Sequence, residues 1–178
     1  MCIRDSAYTS RDGNLWEKES KNFYYEYGPL AREEIGAKQV QGKDYAYTAQ
    51  GWLKTINSSM GVKKNDAGAD GVNGNINENF GKDAYGFSLH YFKGDYQAIG
   101  NQANAGLIAN INNTTYDQNS PDLFNGNISK MIVGLSNEQE QAITVFGNAY
   151  RYDALNRLKA YKPFQDKQNN SPLSLIHI

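Results

Sequence analysis

His90, in the run SLHYF, is one of two histidines in the chain. A general base or a metal ligand needs partners at a readable spacing, and none flanks it, so a packed or strand-surface histidine is expected. Asp66 to Glu78, rich in Asp, Asn and Gly, invites a calcium reading. It departs from the EF-hand pattern: Asn73, Asn75 and Asn77 are followed by Glu78 where glycine is required, and no glutamate stands at the twelfth place. A turn-rich loop is the expectation. Asp83 and Asp95 could serve as paired carboxylates for glycoside hydrolysis, but nothing in their spacing selects them from other acidic pairs. No nucleophilic triad is readable, because His90 has no evident orienting acid. The glycines lie in no GxxxxGK phosphate loop. Neither a catalytic residue nor a cofactor nor a metal site is expected.

The two ends of the chain stand apart from the rest. MCIRDS (Met1 to Ser6) and LSLIHI (Leu173 to Ile178) can be encoded by the same oligonucleotide read on opposite strands. That relation resembles a sequencing adapter translated as coding sequence. The expectation is that residues 1–6 and 173–178 are adapter-derived and that Ala7 to Pro172 is an internal piece of something longer. Cys2, the single cysteine, and His177 fall in those ends. Arg4 and Asp5 also drop out, which leaves the net charge of −1 unchanged. A near-neutral chain lacks the basic excess that nucleic acid selects for, and no apolar run approaches the length of a membrane-spanning helix.

Elements that must position these residues are read from turn and strand signals. Thirteen tyrosines and two tryptophans supply apolar area, which suits half-wet β-surfaces. YRYDALNRL, Tyr150 to Leu158, reads as a hairpin: Tyr150 and Tyr152 on one face of a strand, a turn from Asp153 to Asn156, then Arg157 and Leu158 opening the return strand. YAYTAQGWL repeats the pattern with Tyr45, Tyr47, a turn closed by Gly51, then Trp52 and Leu53. YEYGPLARE is read as a third copy, with Tyr25 and Tyr27 in the strand, Pro29 at the second turn place, and Arg32 and Glu33 in the return strand. Each copy meets the turn requirement with a different residue, as expected when geometry is kept and not a catalytic group.

Between the second and third hairpins, Asn57 to Asn79 reads as a polar loop. GFSLHYF and LIANI read as strands and NNTTYDQNSPD as a second loop. LFNGNISKMIVGL and QAITVFGNAYRYD are longer strands leading into the last hairpin. No stretch has helical periodicity, so the class is all-β. The divisions are 7–56, hairpins; 57–122, a loop-rich insertion with short strands; and 123–172, strands and the last hairpin.

These residues resemble the YD-repeat or Rhs-repeat proteins, whose signature is YxYDxxGRL. Tyr150, Tyr152, Asp153, Arg157 and Leu158 match it, with Asn156 for the glycine. The earlier copies depart further: Gly28 and Thr48 stand for the acid, Glu33 for the leucine and Trp52 for the arginine. Tyr24 to Asn57 looks like the variant found in large Bacteroidota proteins, and DAYGFSLHYFKGDY and LFNGNIS share the likeness. The resemblance implies hairpins spiralling into a continuous sheet that closes as a shell, as in polymorphic toxins, insecticidal toxin subunits and teneurins. On that basis the chain is a non-catalytic wall segment of a large secreted or cell-surface protein. Its partners would be the remainder of its own chain and an encapsulated toxin domain. The alternative is a β-module whose tyrosines bind a surface glycan or a protein.

Overall fold

The computed structural model describes residues 5–57, 67–97, 120–136, 142–165 and 176–177. Those residues form one sheet and no helix. Strands follow one another in chain order: β1 (Ser6–Thr9), β2 (Glu17–Tyr24), β3 (Leu30–Ile35), β4 (Gln41–Tyr47), β5 (Leu53–Ile56), β6 (Tyr85–His90), β7 (Lys130–Ser136), β8 (Ala142–Tyr152), β9 (Leu158–Gln165) and the two-residue β10 (Ile176–His177). Every neighbouring pair is antiparallel. β1 does not meet β10, so the meander is open and not closed into a barrel. Ser6 and Ile176–His177, expected to be adapter-derived, lie in β1 and β10. LIANI lies outside the described residues.

Connections β2–β3, β4–β5, β6–β7 and β8–β9 all fall at the same end of an alternating meander. Three of them share one geometry. In β4–β5 the Gly51 N–H donates to Thr48 C=O at 2.9 Å, and the Thr48 N–H to Trp52 C=O at 2.8 Å. In β8–β9 the Asn156 N–H donates to Asp153 C=O at 3.0 Å, and the Asp153 N–H to Arg157 C=O at 2.9 Å. Gly51 (φ 83°) and Asn156 (φ 61°) take the left-handed backbone that closes such a turn with a bulge, and the register shifts at Ala46/Tyr47 and Arg151/Tyr152 mark that bulge. The turns TAQG and DALN form where the residue pattern puts them.

The first hairpin is displaced from its expected place. Its Gly28 N–H donates to Tyr25 C=O at 2.8 Å and its Tyr25 N–H to Pro29 C=O at 2.9 Å. The turn therefore runs from Tyr25 to Gly28, three residues earlier than the tyrosine spacing suggests, and Tyr25 and Tyr27 sit in the turn and not in a strand. Gly28 explains the shift. The fourth turn place requires a positive φ, Gly28 adopts 115°, and the other residues from Tyr25 to Glu33 all carry a Cβ that opposes it. Properly aligned, Tyr24, Tyr47 and Tyr152 precede the three turns and pair across the strands with Leu30, Leu53 and Leu158.

A second regularity follows. The residue after the turn points its N–H back at the first turn residue: Trp52 N–H to Thr48 Oγ1 at 3.2 Å, Arg157 N–H to Asp153 Oδ1 at 3.0 Å. In the first hairpin that place holds Pro29, which has no N–H, and the first place holds Tyr25, which has no short acceptor. Donor and acceptor are absent together, so neither is left unsatisfied.

The fourth connection at this end, β6–β7, is a long excursion instead of a turn, and it touches the turns on both sides. Tyr91 packs on Trp52 with ring centroids 4.9 Å apart, while Asn125 and Asn127 each donate from Nδ2 to Asn156 Oδ1 at 3.0 Å. LFNGNISKMIVGL accordingly divides, with Leu123–Ser129 in the excursion and only Lys130–Ser136 in β7. Both faces of the sheet are covered at its centre, since successive residues Ser88 and Leu89, and Ile132 and Val133, are buried. Towards β1 and β2 the strands are exposed or half-buried.

Gly51→Ala and Asn156→Ala should each lower stability by about 1–2 kcal/mol in urea titrations. Asn156→Gly should stay within about 0.5 kcal/mol of the parent, because relief of backbone strain offsets the exposed amide contacts it loses.

Candidate functional site

Side-chain clusters lie at the turn edge, inside the sheet and where the polar loop meets it. At the edge, Tyr25 and Tyr27 stack at 5.1 Å with planes 16° apart, and Tyr47 meets Tyr25 edge-on at 6.4 Å and 85°. Tyr25 is pinned by its hydroxyl, which donates to Tyr45 C=O at 2.7 Å. Tyr27 is 66% exposed. Burial first, then the neighbouring Tyr27, pushes the hydroxyls of Tyr25, Tyr47 and Tyr96 upward, that of Tyr25 to about 12. Tyr27 thus stacks on Tyr25 and adds to the upward push on the hydroxyls of Tyr47 and Tyr96. Tyr45 points elsewhere, its hydroxyl donating to Glu33 at 3.3 Å, and burial with that carboxylate pushes it up to about 12.

Inside lies a chain of polar groups. Lys54 is 1% exposed; its ammonium donates to both carboxylate oxygens of Asp95, at 2.7 and 2.9 Å, and reaches His90 Nδ1 at 3.1 Å. His90 Nε2 lies 3.0 Å from Ser88 Oγ. Asp95 also accepts the Tyr91 N–H at 2.8 Å. Serine, histidine and acid in line suggest hydrolase machinery, but the lysine reverses the logic. An ammonium can only donate, so Nδ1 accepts and the ring proton sits on Nε2, directed at Ser88. A base that already carries its proton on the serine side cannot take the serine's proton. Burial, then the cationic Lys54 and Lys130, holds His90 well below the usual histidine range, which keeps the ring neutral. The cluster ties β5, β6 and the segment after β6 together.

Arg32 makes a third junction. Expected after a turn, it stands within β3 opposite Asp44 on β4 and pairs with Asp44 at 2.5 Å, Asp70 at 2.7 Å and Glu34 at 3.4 Å. Its guanidinium also lies 4.7 Å from the Phe80 ring centroid. Asp70 and Phe80 belong to the polar loop, so Arg32 holds that loop against the sheet. Asn57 fastens the loop's two ends: its side chain accepts the Asp44 N–H at 2.9 Å and donates to Asp83 at 2.8 Å.

The loop residues 67–80 form successive turns, with Gly71, Gly74 and Ala69 at positive φ. Among the described residues no group of three or more His, Cys, Asp or Glu is arranged to hold a metal. Asp83 and Asp95 are engaged by different partners, Asn57 and Lys54. Asp153 is bound by Arg157 Nε at 2.7 Å, and the Arg157 side chain is 73% exposed. Tyr150 pairs across the strands with Tyr161, and the Tyr152 hydroxyl donates to Ile128 C=O at 3.0 Å.

Sequence reasoning missed Lys54, Asp70 and Tyr96. Each acts on a partner far along the chain, and no local spacing signals that. No protein-family model matches the chain, and no curated protein matches it. Among the described residues no helix is long and apolar enough to cross a membrane.

Lys54→Met leaves Asp95 buried and uncompensated and should cost about 3–5 kcal/mol, with partial recovery in Lys54→Met/Asp95→Leu, measured by chemical denaturation. His90 gives a pH signature. The unfolded histidine takes up its proton near 6.5 while the buried one resists, so its stability contribution is complete above about 6.5 and falls as pH drops below. The slope between pH 6.5 and 5 should approach about 1.4 kcal/mol per unit and flatten in His90→Gln.

Proposed function

We propose that the chain is a non-catalytic wall segment of a large secreted or cell-surface β-protein of the YD-repeat kind, a polymorphic toxin among the candidates. One observation carries the reading: three hairpins of one geometry at one end of a single open meander, each with a tyrosine before the turn, a left-handed residue closing it and a leucine after. A hairpin alone cannot bury a face, so a sheet assembled from recurring hairpins gains stability by stacking further units alongside. The long excursion at β6–β7 fits the same plan, because it braces the neighbouring turns where a fourth short turn would stand. The buried Ser88–His90–Lys54–Asp95 chain adds support, since its proton arrangement suits cross-linking of strands and not nucleophilic attack.

A wall segment presents backbone donors and acceptors along its outer strand. β1 lies at the margin of the sheet with Tyr8 half exposed. Sedimentation velocity should therefore show concentration-dependent association of the chain, weakened by Tyr8→Lys. A monomer at every concentration, with a sharp reversible unfolding transition, would contradict the wall reading.

A further inference from the structure

Aspartate or asparagine precedes glycine at four places among the described residues: Asp12–Gly13, Asp70–Gly71, Asn73–Gly74 and Asn125–Gly126. Such steps are chemically weak, because glycine has no side chain to shield its backbone nitrogen from the carboxyl or carboxamide carbon of the residue before it. A nitrogen whose N–H is held by an acceptor is withdrawn from attack. The fold holds three of the four: the Gly13 N–H donates to Ser10 Oγ at 2.9 Å, that of Gly71 to Asn77 C=O at 3.0 Å and that of Gly74 to the Glu78 carboxylate at 3.0 Å. The Gly126 N–H donates to no acceptor among the described residues. Asn125 is exposed, and its Oδ1 accepts the Asn127 N–H at 3.1 Å, which holds the side chain over its own turn and polarises the amide carbonyl. Packing also demands glycine at 126, where φ is 88° and a Cβ would stand 3.3 Å from Trp52 Cζ2.

We propose that Asn125 is a self-modification site: it deamidates in the folded chain, and its conversion releases the β6–β7 excursion from the last hairpin turn. The Gly126 nitrogen loses its proton to solvent and bonds to Asn125 Cγ. The Cγ–Nδ2 bond then breaks, ammonia departs and a cyclic imide remains. Water adds to one of the two imide carbonyls and the ring C–N bond breaks, leaving aspartate or isoaspartate, so water enters, ammonia leaves and nothing is oxidised or reduced. Position gives this chemistry a consequence. Asn125 Nδ2 donates at 3.0 Å to Asn156 Oδ1, on the residue that closes the last turn. A carboxylate cannot donate, so after conversion two acceptors face each other. Restoring a bond requires the amides of both Asn156 and Asn127 to turn over, since Asn127 Nδ2 donates to the same oxygen at 3.0 Å. Isoaspartate in addition routes the main chain through the side-chain carbons, which lengthens it beside Trp52. The site does not depend on the chain being part of a wall.

Mass-spectrometric peptide mapping of the full chain during incubation in mildly alkaline buffer provides the test. Asn73 is the internal control, because both asparagines stand in the run NGN. In the native chain Asn125 should convert about 5- to 10-fold faster than Asn73, whose Gly74 N–H must first leave a charged acceptor. Concentrated urea should make the two rates converge. Glu78→Ala removes that acceptor at an exposed position and should bring Asn73 to within about twofold of Asn125, whose own rate stays as it was. Release of the excursion is read separately: Asn125→Asp should speed amide hydrogen exchange across Leu123–Ser129. No conversion at Asn125, equal or reversed rates in the native chain, an Asn73 rate indifferent to Glu78→Ala, or unchanged exchange in Asn125→Asp would overturn the assignment.

Discussion

Everything in this fold depends on one backbone requirement: the fourth residue of each hairpin turn must adopt positive φ. Gly28, Gly51 and Asn156 meet it. Once that residue is placed, the bulge and the strand register follow, and tyrosine comes to face leucine across each hairpin mouth. Because side chains alternate between faces with period two, a slip of one residue would turn the whole strand inside out. Gly28 decides the first register even against a tyrosine spacing that favours another frame.

Within that frame, polar junctions hold what a small apolar core cannot. The buried set includes Lys54, Asp70, Asp95, Thr55, Ser88 and Asn57 beside Ile132, Val133, Leu89 and Phe80. Arg32 fastens the loop after β5 to the face of the sheet, and Lys54 fastens the segment after β6 to β5. Buried ion pairs of this kind contribute little net stability over apolar packing but penalise any arrangement that leaves one partner alone. Their effect here is to select one seating for each excursion. At the turn-bearing end, tyrosine hydroxyls do similar work across hairpins, from Tyr25 to β4 and from Tyr91 to β5.

How much of this was legible in the sequence differs by residue. The all-β class and the turns TAQG and DALN were readable, because Gly51, Asn156 and Asp153 announce the turn geometry through residue type alone. YYEYGPL is ambiguous because its tyrosines offer two frames, and only Gly28, the one residue there able to close the turn, selects between them. For His90 the sequence allows a packed or a strand-surface place, and its partners are hidden: Lys54 and Asp95 come from segments the meander brings together. The tyrosine cluster was half visible. Tyr25, Tyr27 and Tyr47 stand out by pattern, whereas Tyr96, which adds to the upward push on the Tyr25 hydroxyl, lies far along the chain after β6.

The reading of this chain as one stretch of a longer repetitive wall makes a demand on its gene. Long-read sequencing through the locus, with the adapter-like ends removed, is the most direct measurement. The account predicts that the frame continues through further hairpins, each with tyrosine, a four-residue turn closed by glycine or asparagine, one more residue and then leucine. Flanking sequence with no such units, or a start and a stop just outside Ala7 and Pro172, would contradict it.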